Sequence, residues 1–352
     1  MKRIQKIICI TISSVLILSS FASCSKSNKP TDTTPKDNTK LTVKDYFPFK
    51  ENVFMKYQGI GNEYAEHETY VDYIEGDRIQ IRDVNPGTTL SKVYEIKNGE
   101  LRLISSREEY YYKENLLSST NANYDILLKE PIEKGTSWTT KDGLKRYISN
   151  TEAKITTPSG EYSAVEVTTE GNDYKIFDYY VKNIGFVKTV YKSGDVVIES
   201  NLEKIVENTP YVQTMKFYYP DFNNEKLAFK TEKVSLYTNE NVNTTIEKFL
   251  KNPPKEDLNK VFGPNTKINK LYFNNSQNKV YVDVNSKFIE EMNAGSSLES
   301  MILQSLVNTL GDYYNVDKVY ISVDGKPYES GHIAITENEV FYVDYKNIYE
   351  IK

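Results

Sequence analysis

From Leu41 to about residue 205, apolar side chains recur at every second position in short runs separated by turn residues. Val71 and Tyr73 precede Glu75-Gly76-Asp77, and Ile79 and Ile81 follow it. Tyr94 and Ile96 precede Asn98-Gly99, and Leu101 and Leu103 follow. A period of two puts alternate side chains on one face of an extended strand. Asn-Gly is a strong hairpin signal, because both residues tolerate the positive φ of a type I′ turn. Pro158-Ser159-Gly160 leads into Val165 and Val167, and Ser193-Gly194-Asp195 separates Val187-Thr189-Tyr191 from Val196-Ile198. No long stretch repeats with a period of 3.6. The pattern therefore predicts an antiparallel β-sheet domain over residues 41–208, with Tyr110-Tyr111-Tyr112 filling both faces of one strand.

From residue 211 the pattern becomes mixed. Lys216 to Asp221 reads as a strand ending in a turn, and residues 227–236 as another. Thr244 to Lys251 predicts a short helix stopped by Pro253-Pro254. Ile268–Phe273 and Lys279–Val284 predict a hairpin around residues 274–278. The clearest helix follows: Leu298, Met301, Ile302, Ser305, Leu306, Thr309 and Leu310 share one face at i, i+3, i+4 spacing. Ser296 with Glu299 has the form of a capping box at its start. Val319, Ile321 and Val323 then form a strand, and Asp324-Gly325 a tight turn. The fold class expected is α+β: a β-rich domain at 41–208, in one form a curved half-barrel, then an α+β domain at 211–352 with one long amphipathic helix packed on a sheet.

The first 40 residues change the picture. Lys2, Arg3 and Lys6 form a positive start, Ile7–Leu18 an apolar run, and Ser19–Ser23 a small-residue run broken by Phe21. This is the grammar of a secretory signal peptide over 1–23. Phe21-Ala22-Ser23-Cys24 resembles the lipobox of bacterial lipoproteins, with Phe21 where an aliphatic residue is usual. That resemblance implies cleavage before Cys24 and acylation of its sulfur. An ordinary secretory signal or an uncleaved anchor are the alternatives. Cys9 would be discarded, leaving Cys24 the single cysteine, so no internal disulfide can form. Residues 24–40, rich in Thr, Lys, Asn and Pro, read as a disordered tether reaching roughly 20–25 Å. The expected place is the extracytoplasmic face of the cell membrane.

The whole chain of 352 residues carries a net charge of −5. Removing the signal peptide takes away three basic residues and no acidic one, leaving 41 basic against 49 acidic, or −8. Such a surface does not suit phosphate backbones, so no nucleic-acid partner is expected. The 29 tyrosines follow from strand content and a bias toward Asn, Lys and Ile rather than from a dedicated aromatic surface.

Two pieces of the β-rich domain, Pro131–Trp138 and Ile184-Gly185-Phe186-Val187 after Tyr179-Tyr180, resemble β-rich bacterial envelope proteins with strongly curved sheets. Some of those hold a lipid in a concavity, and the expectation here is a curved sheet that packs its own core. Residues 213–335 resemble the GerMN domain of sporulation and germination lipoproteins. The resemblance rests on Phe217–Asp221, the helix ending at Pro253-Pro254, Val282–Phe288, Gly295, Leu306–Leu310 and Val323–Lys326. Asn252 stands where that family has glycine, and this chain has one such domain where the germination protein has two. The resemblance implies an α+β fold without catalytic chemistry, acting by contact with envelope proteins or with itself through residues 211–352.

No catalytic, cofactor or metal residue is expected. The two histidines, His67 in Glu66-His67-Glu68 and His332 after Gly331, have no partner at metal-ligand spacing and read as structural, His67 on a solvated strand edge. No phosphate-loop, nucleophile-elbow or dinucleotide fingerprint is present. Glu290-Glu291 point in different directions, and Asp283 and Asp324 are explained by strand and turn positions. A paired-carboxylate wall hydrolase is the least favoured alternative, and a lipoprotein holding a lipid or wall fragment in its β domain is the runner-up.

Overall fold

The computed structural model describes residues 40–352. The signal peptide, Cys24 and the tether up to residue 39 lie outside the described residues, so the anchor stands as an expectation.

After a single helical turn, α1 (Val43–Tyr46), the first half is one antiparallel sheet. Its strands are β1 (Phe54–Ile60), β2 (His67–Glu75), β3 (Arg78–Val84), β4 (Thr89–Lys97), β5 (Glu100–Arg107) and β6 (Asp125–Lys129), then β7 (Ser137–Thr139), β8 (Lys145–Thr157), β9 (Gly160–Glu170), β10 (Lys175–Val181), β11 (Gly185–Ser193) and β12 (Val196–Val206). The order is β6-β5-β4-β3-β2-β1-β12-β11-β10-β9-β8-β7, so consecutive strands pair except β6 and β7, which form the two edges, and β12 returns to pair with β1. Hairpin turns make several of the connections: at one, Asn98 and Gly99 both have positive φ, at 55° and 71°.

Register shifts between Lys56 and Tyr57, Val71 and Tyr73, Val93 and Tyr94, and Tyr179 and Tyr180 mark bulges. Each bulge bends its strand and adds twist. The sheet curls until its two edge strands come together. Trp138 Nε1 on β7 donates to the Ile126 carbonyl on β6 at 2.8 Å, and Arg146 reaches Ile126 O and Asp125 Oδ2 at 2.6 and 3.0 Å. The half is thus a nearly closed barrel-like sheet, more strongly β than the α+β label conveys.

The second half has two sheets. One joins β13 (Tyr211–Asp221) to β14 (Lys226–Leu236), with the C-terminal β20 (Ile348–Glu350) parallel to β14. The other contains β15 (Ile268–Asn274), β16 (Lys279–Val284), β17 (Lys318–Val323), β18 (Lys326–Pro327) and β19 (Phe341–Tyr342). Helix α2 (Val242–Lys251) begins two residues before the expected start, capped by Asn241. Parallel β16 and β17 are joined through α3 (Lys287–Glu290) and α4 (Ser296–Tyr314).

Helix α4 differs from its expected form. It is not an amphipathic helix lying on one sheet. It touches β13 as well as β16 and β17, and is buried around most of its girth. Leu303 and Val307, off the expected face, are buried, while Leu298 and Met301 on it are partly exposed. Polar residues on the helix are satisfied by specific partners: Thr309 Oγ1 accepts from Tyr218 N, and Asn308 bonds both N and O of Asp344. Gly311 is required by packing, because a Cβ there would sit 2.2 Å from Val343 Cγ1. The expected capping box is also absent. Gly295 is the N-cap without a side-chain bond, and Glu299 is drawn away by stronger donors. It accepts from Tyr328 Oη at 2.8 Å and Ser330 Oγ at 2.5 Å, with His332 Nδ1 at 2.7 Å.

One apolar core crosses from one half to the other, including Tyr73, Val93 and Ile104 of the first sheet with Phe217, Leu306 and Ile321 of the second half. Tyr110-Tyr111-Tyr112 is not a strand. It is the irregular segment that plugs this joint, with Tyr110 and Tyr112 buried and Tyr111 exposed. Tyr112 packs on Phe273 and Tyr314. Arg82, on β3, pins the segment. It is fully buried, pairs with Asp72 at 2.9 Å, and donates to the carbonyls of Tyr110 and Tyr112, each at 2.8 Å. Its guanidinium also lies 4.6 Å from the Tyr211 ring centre.

Candidate functional site

Strands β2 to β5 have two differently treated faces. Side chains such as Asp72, Gln80, Arg82 and Val93 turn away from the inside of the curl, toward the segment 110–116 and the shared core, and are buried. The alternate residues turn inward, toward a cavity of about 520 Å³ enclosed by the curled sheet. That volume lies in the ordinary range of small-ligand pockets, about 300–1,000 Å³. The expected curved sheet is present, but it does not simply pack its own core.

The near wall is built from Val71, Ile79, Ile81, Leu90, Tyr94 and Leu103. Tyr180 and Phe186 contribute the far wall, from the piece whose sequence resembled curved envelope proteins. Met55 and Tyr57 of β1 lie between these walls along the sheet. Phe47 and Lys50, from the segment after α1, and Tyr64 lie at the rim; Lys50 and Tyr64 are exposed.

Two polar features interrupt this apolar lining. In the register of β3 and β4, Asp83 faces Leu90 and Ile81 faces Lys92. Lys92 and Asp83 are therefore diagonal neighbours on the inner face, and Lys92 Nζ reaches Asp83 Oδ2 at 2.5 Å. Burial disfavours the Lys92 charge, but Tyr94 and Asp83 outweigh it and hold its pKa above the ordinary lysine value. Across the cavity, Asp178 accepts from Thr189 Oγ1 at 2.7 Å, and burial pushes its carboxyl above the usual aspartate value.

His67 is not on a solvated edge. Its ring stacks on Tyr57 at 4.4 Å and lines the cavity, where burial holds its pKa below the ordinary value. His332 is about 33 positions along the chain from its partner Glu299, which anchors the strip after β18 to the start of α4. The carboxylates set aside earlier have the structural roles their positions indicated. Asp283 accepts from Ser322 Oγ and Gly325 N at 2.6 and 2.7 Å, and Asp324 from Ser286 N at 3.0 Å. Glu290 pairs with Lys287, while Glu291 accepts from Asn265. Among the described residues, no group of three or more His, Cys, Asp or Glu is placed to hold a metal ion.

The cavity's polar residues were missed in the sequence, although a signal was there. Ile79-x-Ile81-x-Asp83 and Leu90-x-Lys92-x-Tyr94 each place one charge on an otherwise apolar strand face.

The second half also presents a row of rings. Val280, Val282, Val319 and Ile321 turn into the core, so Tyr281 and Tyr320 turn outward. Tyr272 stacks on Tyr281 at 5.0 Å, and Tyr281 meets Tyr320 at a tilt, 5.4 Å between ring centres, with Lys270 over Tyr272 and Lys279 over Tyr281.

Residues 216–329 match the Germane family, described as sporulation and spore germination. Among solved structures, the tandem GerMN domains of the sporulation protein GerM from Bacillus subtilis match at 17% identity and TM-score 0.30. That match covers 37% of this chain and 46% of the other, so this chain spans about half of the tandem structure. The first GerMN domain of the same protein matches at 17% identity and TM-score 0.26, over 38% of this chain and 98% of that one. A protein described as a lipoprotein, from Parabacteroides distasonis, matches at 18% identity and TM-score 0.31, over 46% and 98% of the two chains. No curated protein matches. The family match thus lies within the second half of the chain and covers about a third of its 352 residues.

Proposed function

We propose that this chain is a non-catalytic lipoprotein of a spore-forming bacterium, anchored on the extracytoplasmic face of the membrane through acylated Cys24. It acts through protein contacts of its GerMN domain, with an envelope protein or a second copy, in sporulation or germination. The observation that carries this reading is the family match over residues 216–329. The anchor rests on the signal-peptide pattern and the single remaining cysteine. Among the described residues no helix is long and apolar enough to cross a membrane. The row Tyr272-Tyr281-Tyr320 supports a contact surface, because half-exposed tyrosines are favoured at interfaces.

The test is photo-crosslinking from position 281 or 320 of the full chain in sporulating cells. Specific adducts from position 281 that disappear with Tyr272→Ala/Tyr320→Ala, or from position 320 that disappear with Tyr272→Ala, support the reading. Absence of any protein adduct from either position, with the protein present in membranes, refutes the contact role. Cys24→Ala should release the chain from the membrane fraction; retention would refute acyl anchoring.

A further inference from the structure

We propose that the cavity inside the twelve-stranded sheet binds a single-chain amphiphile: one acyl chain carrying a hydroxylated head group of no net charge. This assignment is independent of the protein-contact reading, since it concerns the other half of the molecule.

The first argument is the inversion of burial along β3. Gln80 and Arg82, which are polar, are completely buried against the segment 110–116, whereas apolar Ile81 between them remains partly exposed. Val71, Leu90 and Leu103 repeat this on the neighbouring strands. Gln80 and Arg82 have their hydrogen bonds on one face, and the apolar face lacks its covering. An acyl chain supplies apolar surface without needing hydrogen bonds, which most of this lining could not give. A glycan or peptide fragment of the wall would bring many polar groups against Ile79, Ile81, Leu103 and Phe186 and leave them unpaired.

The second argument is the charge around the cavity. Its charged residues are two lysines, Lys50 and Lys92, and two aspartates, Asp83 and Asp178. Lys92 spends one N–H on Asp83, leaving donors over, and among the described residues Asp83 Oδ1 accepts no bond. A hydroxyl both donates and accepts and so suits this pair. An anionic head would compete with Asp83 for Lys92, and a cationic head would compete with Lys92 for Asp83. The rim at Lys50 and Tyr64 gives an entrance from solvent.

The experiment uses the purified, delipidated full chain and measures equilibrium binding of radiolabelled 1-oleoylglycerol, oleate and a disaccharide-peptide from peptidoglycan. Saturable binding of one 1-oleoylglycerol per chain, at least about tenfold tighter than oleate, is expected, with no saturable binding of the disaccharide-peptide. Ile81→Trp, which fills the cavity from a position facing open space, should weaken 1-oleoylglycerol binding at least about tenfold with an unchanged melting temperature. Leu90→Trp makes the same test if Ile81→Trp lowers the melting temperature. Absence of saturable 1-oleoylglycerol binding, binding undiminished by the tryptophan, or tighter binding of the disaccharide-peptide would overturn the site. Oleate binding as tightly as 1-oleoylglycerol would overturn the head-group assignment.

Discussion

Arg82→Met removes a cation from the joint between the two halves. The substitution conserves most of the side chain's length and apolar stem, so its main effect is electrostatic. In the native protein Arg82 has 0% and Asp72 1% of its side chain exposed. Two bonds from the guanidinium to Asp72 and two to the carbonyls of Tyr110 and Tyr112 would be lost together. Stranding one partner of a buried ion pair costs about 3–5 kcal/mol. Total stability for a folded protein is commonly about 5–15 kcal/mol, so this is a large share. Urea denaturation followed by far-UV circular dichroism should show the midpoint fall, and the segment 110–112 should become accessible to protease. The double variant Arg82→Met/Asp72→Leu removes both charges and should lose less than the sum of the two single variants. A loss below about 1 kcal/mol for Arg82→Met would refute the reasoning, since it is less than the penalty of a single buried unpaired group.

Three further outcomes follow from other places. Gly311→Ala should destabilise by about 1–3 kcal/mol through overpacking against Val343, and Val343→Ala should recover part of it in thermal melts. For Glu299, burial opposes ionisation, but hydrogen bonds from Ser330, His332 and Tyr328 outweigh it and hold the carboxyl below the usual glutamate value. Its stabilisation is therefore present above pH 4.5 and lost as pH falls through the depressed value; denaturation of Glu299→Gln across pH 3–6 should show a flatter profile. Glu114 behaves oppositely, because burial pushes its carboxyl up to about 6. The native state holds the proton more tightly, so stability falls as pH rises from 4.5 to 6, and Glu114→Gln should abolish that decline while keeping an acceptor for Phe273 N.

Local features were legible where one strand or turn decided them. Asn98-Gly99 and Asp324-Gly325 adopt positive φ at both residues, as a type I′ hairpin requires. The 268–284 hairpin and the end of α2 before Pro253 also follow from neighbouring residues. What failed depended on distant partners. The periodicity of α4 revealed one face, but its burial on several sides comes from β13, some 80 residues earlier in the chain. Ser296 and Glu299 had capping-box spacing, yet Ser330 and Tyr328 offered Glu299 a better-satisfied buried position. Three consecutive tyrosines looked like a strand because ring size and β preference agree, whereas Arg82 holds them as a plug. The cavity was legible only as a possibility of curvature. Bulges that bend a sheet leave little mark on a period-two pattern, and an apolar face reads the same whether it meets a core or an opening.

Strand β3 has a consequence for how sequence change in this protein should be read. Its seven residues are shared between two tasks in strict alternation, with neighbouring side chains on opposite sides of one backbone. Substitutions at Gln80 and Arg82 would be felt as loosened architecture, and those at Ile81 and Asp83 as altered selectivity, although the positions are adjacent. Variation tolerated on one side therefore carries no licence for the other. A one-residue insertion here would exchange the two sets and damage both tasks at once, so the length of this strand should be among the least negotiable features of the chain.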